Sequence, residues 1–187
     1  MLKKMTLILV LLGFVQSANA IIELRAGYGI QTPAEENFNS GSLKTITGYN
    51  IDALVSLPLV PIGFGLRYED LGADYELLGN TFEGEFQRTS LLINYRIIDL
   101  FAYFGVIGSF GLVNDASIGL GGLGTAQYKA DLTYTVGAEA GVKLGLFMVG
   151  GELGYAVANL EEDGSNFNTG DLDMGGVYLK AMVGVYF

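Results

Sequence analysis

Eight stretches of this chain alternate apolar and other residues with a period of two, and that alternation leaves few folds open. The last stretch, YLKAMVGVYF (178–187), is the sharpest. Val177, Leu179, Ala181, Val183, Val185 and Phe187 form one wholly apolar face, while Tyr178, Lys180, Met182, Gly184 and Tyr186 form the other. A period of two means a strand whose faces meet two environments. The apolar face recurs at Ile22–Ile30, Tyr49–Leu57, Ile62–Tyr68, Leu91–Ile97, Ala102–Leu112, Leu132–Val142 and Phe147–Val157, taking alternate residues. Six of the eight runs span 9–11 residues, the length a tilted strand needs to cross a bilayer, and the other two span seven. Mean hydropathy is high at +0.40, yet past residue 20 no apolar run is long enough for a membrane helix.

The opposite face holds Glu23, Arg25, Asp52, Arg67, Glu69, Arg88, Arg96, Glu139, Lys143, Glu152 and Lys180, interspersed with glycines such as Gly27, Gly63, Gly137 and Gly150. Small residues beside long charged ones suit the inside of a narrow barrel, and the continuous aliphatic and aromatic face suits lipid. A closed ring of strands is the one all-β way to satisfy backbone groups in hydrocarbon. Short connections at 58–61, 98–100 and 145–146 alternate with long, Gly/Asn/Ser-rich and acidic ones at 32–46, 71–84, 113–128 and 159–174. The expectation is therefore an all-β fold: an eight-stranded antiparallel transmembrane up-and-down β-barrel. Tyr49, Tyr68, Phe110, Tyr134 and Tyr155 near the long connections, and Tyr95, Phe147 and Phe187 near the short ones, read as two interfacial girdles.

Residues 1–20 read as a secretory signal peptide. Lys3 and Lys4 form its basic end, Met5–Val15 its apolar core, and Ala18-Asn19-Ala20 its cleavage site. Residues 21–187 form the barrel domain. The whole chain carries a net charge of −10; losing the two leader lysines leaves 8 basic against 20 acidic residues, a net of −12. Such a chain is a poor nucleic-acid binder. There is no Cys, so disulfide and thiolate chemistry are excluded.

The eight strands, the ELGYA stretch at 152–156 and the terminal VGVYF together resemble the small OmpA-type outer-membrane β-barrels of Gram-negative bacteria, over Ile21 to Phe187. The resemblance implies a bacterial outer-membrane location among outer-membrane lipids and lipopolysaccharide. It also implies an assembly signal read by the barrel-assembly machinery, matched here by Phe187, Val185, Val183, Ala181 and Leu179. Enzymes of this architecture resemble one another in placing a His in the catalytic constellation, and this chain has no His. Glu139 and Glu152 on neighbouring strands are the remaining acid–base candidates, weighed against a structural role for both. The expectation is that the protein is not an enzyme and needs no cofactor.

Counting up from the short connections places Asp52 opposite Arg67, with Glu139, Glu152 and Lys180 at the same depth and Arg25 just below. This predicts a salt-bridge cluster of Asp52, Arg67, Glu139, Glu152, Lys180 and Arg25 blocking the lumen, since unpaired charges there are costly. It resembles the charged gate of OmpA-type barrels. The acidic connections, including Glu35, Glu36, Asp74, Glu83, Glu161, Glu162, Asp163 and Asp171, match no EF-hand spacing and are read as solvated loops, with no metal site assigned. GLGGLGTA (119–126) lacks the phosphate-loop pattern. Three roles stay open: a plugged monomeric barrel with a structural or loop-display role, a small pore for ions or tiny solutes, and a surface adhesin or receptor acting through acidic loops.

Overall fold

The computed structural model describes residues 21–34, 41–56, 60–77, 80–119, 125–162 and 172–187; the leader read over residues 1–20 lies outside the described residues. The strands are β1 (Ile21–Pro33), β2 (Gly41–Ser56), β3 (Ile62–Leu77), β4 (Asn80–Asp99), β5 (Ala102–Gly119), β6 (Thr125–Leu144), β7 (Phe147–Glu162), β8 (Leu172–Asp173) and β9 (Gly176–Tyr186), with no helix among the described residues. From β1 to β7 each strand pairs antiparallel with the next, and β9 pairs with β7 on one side and β1 on the other. The ring is thereby closed, leaving no edge for another chain to extend. The two-residue β8 adds only Asn159↔Asp173 and Leu160↔Leu172 to the end of β7. The wall is the expected eight-stranded up-and-down barrel.

Closure reaches the last residue. The Ile22 amide donates to the Phe187 carbonyl at 2.8 Å and the Phe187 amide to the Ile22 carbonyl at 3.0 Å. The β6–β7 connection is a two-residue turn with Gly145 at φ +66°. Hairpins of this length need a positive φ at the first turn position, which glycine adopts without steric cost.

The connections at 71–84 and 113–128 are not long loops. The ladder continues to Leu77↔Asn80 and to Gly119↔Thr125, and β4 and β6 are each 20 residues long. β1 and β7 likewise run into the stretches 32–46 and 159–174. The reason is a change of solvent along one sheet. On β3 the outward residues Phe64, Leu66 and Tyr68 give way to Gly72 and Asp74, while the inward residues change from Arg67 and Glu69 to Leu71 and Ala73. On β4 the outward series Tyr95, Ile93, Leu91 becomes Gln87 and Glu85, and inward Arg96, Asn94 and Arg88 are followed by Phe86. The lower barrel is apolar outside and polar inside; the upper barrel has the opposite polarity. The alternation persists, but the apolar phase shifts by one residue, which reads as the end of a strand when only the first phase is followed.

The upper interior is a conventional hydrophobic core, in which Ile46, Phe86, Ile118, Tyr128, Leu160 and Met174 pack together with Leu71 and Phe82 against them. Bulges between Leu43 and Ile46, at Leu112–Val113 and at Asp131 lie close to the change of polarity. Each adds a residue on one strand and re-aims the side chains above it.

Candidate functional site

The lower lumen is filled by charge. Ten charged side chains are buried there, and among the described residues they divide evenly: Glu23, Asp52, Glu69, Glu139 and Glu152 against Arg25, Arg67, Arg88, Arg96 and Lys180. Inward alternation puts them on one face of each strand, and antiparallel pairing sets their heights. Asp52 is the Cα partner of both Arg25 and Arg67, and Glu152 that of both Glu139 and Lys180.

Arg67 is the hub. Its Nε and Nη2 donate to the two oxygens of Asp52 at 2.8 and 2.9 Å, and its Nη1 and Nη2 donate to those of Glu152 at 3.0 and 2.6 Å. One planar guanidinium thus serves two carboxylates, a geometry that a lysine cannot reproduce. Arg25 bridges onward, with Nη2 to Asp52 at 3.0 Å and Nη1 to Glu139 at 2.6 Å. Glu139 also accepts from Arg96 Nε at 2.9 Å and Asn94 Nδ2 at 2.8 Å, and Arg96 Nη2 reaches Glu23 at 2.8 Å. A continuous chain therefore runs from Glu23 through Arg96, Glu139, Arg25, Asp52 and Arg67 to Glu152. The Tyr178 hydroxyl donates to Glu152 at 2.6 Å and ends it.

Above this chain Glu69 sits between two cations, Arg88 and Lys180. Arg88 Nε donates to it at 2.7 Å, and Lys180 Nζ donates from the other side. Lys180 lies 4.6 Å from the Tyr178 ring centre, which joins the two assemblies. Near the short turns Lys143 pairs with Asp99. Glycines make the room: a Cβ on Gly137 or Gly154 would stand within 2.8 Å of the Tyr178 hydroxyl, and one on Gly141 or Gly150 would overlap Tyr103.

The structure joins five of the six residues named from the sequence, Arg25, Asp52, Arg67, Glu139 and Glu152, in one network. Arg25 is the Cα partner of Asp52. Lys180 differs. The expected cluster sets it at the depth of Glu139 and Glu152, but its ammonium bonds Glu69, and Glu139 is held by Arg25 and Arg96. Counting along neighbouring strands gives pairs that share a hydrogen-bonded row. Contacts across the lumen, such as Arg25 on β1 with Glu139 on β6, depend on barrel stagger. Glu23, Glu69, Arg88 and Arg96 were legible only as inward-facing charges. Val183 and Phe187 of the expected assembly signal lie exposed on the outer face, with Val185 half-buried.

The lumen carboxylates are already paired with cations, which leaves no free base. Among the described residues no three carboxylates converge on a metal position, while Glu35, Glu36, Asp163 and Asp171 lie outside the described residues. The space beside Glu69, Arg88 and Lys180 is about 10 Å³, room for one water.

Neither a family model nor a curated protein sequence matches the chain. Solved structures match over most of it. The outer membrane protein OprG from Pseudomonas aeruginosa is 14% identical, with a TM-score of 0.55 over 90% of this chain and 96% of that one. A major outer membrane protein from Thermus thermophilus is 16% identical, with a TM-score of 0.59 over 90% of this chain and 99% of that one. At these identities the likeness shows the fold. A closed antiparallel ring with an apolar outer belt, matched over nearly its whole length to barrels of this kind, gives the chain the fold of a small eight-stranded outer-membrane-type β-barrel.

Proposed function

We propose that the protein is a plugged barrel whose role is structural and presentational: it anchors in the outer membrane and displays extended hairpins above it. The observation that carries this reading is the filled lumen. Five acids and five bases compensate one another across the lower interior, and a hydrophobic core fills the interior above them. A passing ion would have to displace ion pairs below and cross a dry apolar layer above. Both steps are unfavourable.

Presentation is favoured over conduction by the distribution of charge. The described basic residues outside the lower lumen and its mouth are Lys44 and Lys129, whereas Asp74, Glu83, Glu85, Asp115 and Glu161 all lie on the hairpins above the aromatic girdle. An acidic projecting end is suited to selecting a cationic or cation-bridged partner. Planar-bilayer recording tests the reading. The refolded protein should give no steady unitary current in molar potassium chloride, and reproducible open channels from the wild type would favour the small-pore reading instead.

A further inference from the structure

Among the described residues the barrel end at the β4–β5 and β6–β7 turns is apolar. Leu100 and Phe101 in the β4–β5 turn, Leu144, Leu146 and Phe147 around the β6–β7 turn, and Phe187 after β9 are 61–80% exposed. They form one shelf. The Lys143 amide donates to the Phe101 carbonyl at 2.7 Å, tying the first turn to β6, and the Tyr186 amide donates to the Leu146 carbonyl at 2.9 Å, tying the second to the end of β9. The charged residues flanking these turns, Asp99 and Lys143, pair with each other at 2.5 Å, and Lys143 lies over the Tyr186 ring at the lumen mouth. Apart from the Asp99 carboxylate, which stays one-third exposed, the side chains of the shelf are hydrocarbon.

We infer that these turns are seated in the periplasmic leaflet, against the acyl-chain and glycerol region of its phospholipids, and do not project as periplasmic loops. Two observations select lipid as the occupant. The shelf is continuous with the lipid-facing belt: on β6 the outward series Leu132, Tyr134, Val136, Ala138, Ala140, Val142 runs into Leu144 without a polar residue. The second is height. The upper limit of the belt is marked by the outward register pair Asp115↔Lys129, below which Val113 and Leu132 are the first apolar residues. Val113 to Phe101 and Leu132 to Leu144 are each twelve residues. At about 3.3 Å per residue and a tilt of about 40° this is about 30 Å of vertical distance. An apolar band of about 25 Å is what a small barrel presents, and the headgroup layers extend the bilayer to about 40–45 Å. The turns consequently end a few ångströms past the hydrocarbon, inside the interfacial layer.

The chain contains no Trp and no Cys, so single probes report without background. Phe101→Trp and Leu146→Trp would be placed in nanodiscs of phosphatidylethanolamine and phosphatidylglycerol, with both faces open to solvent. Ile93→Trp in mid-belt and Gln87→Trp above it serve as references. Phospholipids brominated on their chains should quench both turn tryptophans, and iodide should quench them roughly five-fold less than Gln87→Trp, as expected for an interfacial position. Should either tryptophan prevent folding, Leu100→Cys reads the same boundary, with an impermeant maleimide labelling it roughly ten-fold more slowly than Gln87→Cys. Iodide quenching equal to that of Gln87→Trp would overturn the inference. So would shielding that is indifferent to bromolipid and rises with protein concentration, which would assign the shelf to a second copy of the chain.

Discussion

Glu139 and Glu152 are Cα partners across β6 and β7, yet their carboxylates turn to different cations, Glu139 to Arg25 and Arg96 and Glu152 to Arg67. Two adjacent acids at one depth are tolerable because three guanidiniums divide them. The division ranks the cations by how much each supports.

Arg67 should matter more than Lys180. Arg67→Met removes the cation bonded to Glu152 and leaves Asp52 with Arg25 alone, whereas Lys180→Met leaves Glu69 with Arg88. Breaking a buried pair by removing one partner costs about 3–5 kcal/mol, and Arg67→Met is expected at or above the top of that range. Urea unfolding in lipid vesicles measures both variants. A larger loss for Lys180→Met would contradict the assigned hub.

The change of polarity along β4 sets a depth profile. Ile93 faces outward in mid-belt and Gln87 faces outward above it. Arginine at Ile93 should cost about 2–4 kcal/mol and arginine at Gln87 about 0–1 kcal/mol. Equal penalties would move the membrane boundary away from the Asp115↔Lys129 row.

Phe86 tests the upper core. Phe86→Ala removes a ring that is 2% exposed, a change that costs about 3–5 kcal/mol in a packed interior. The loss should be local: amides of the upper β3–β4 hairpin should exchange faster with deuterium, and those level with Arg67 should stay protected. Uniform deprotection would mean that the two halves melt as one unit.

Phe187 separates assembly from stability. Its backbone pairs with Ile22 in both directions while its ring is 61% exposed. Phe187→Ala should therefore refold into detergent nearly as the wild type does and insert slowly in cells, where recognition by the assembly machinery is at stake. Equal impairment in both settings would assign the ring to barrel stability.

The closed wall was legible because outward residues such as Leu91, Ile93 and Tyr95 declare their solvent at every second position. Inward charges were legible for the same reason, and Asp52 with Arg67 followed from mirror counting about a short turn. What escaped was set by the third dimension. Arg96 reaches Glu139 from β4, and Lys180 turns to Glu69, through a stagger that no single hairpin encodes. The upper strands escaped because Leu71 and Phe86 face inward where Arg67 and Arg88 had done so, and a pattern followed in one phase breaks there.

The even division of the buried charges has an electrical consequence. A transmembrane potential does work of about 2.3 kcal/mol per elementary charge per 100 mV, but only on net charge that moves. Five acids and five bases sum to zero, so a field pulls the plug equally toward both faces and gains nothing by shifting it as a body. On the plugged reading proposed above the barrel would be closed without being a voltage sensor, and its charge excess, carried by the hairpins, would lie beyond most of the voltage drop.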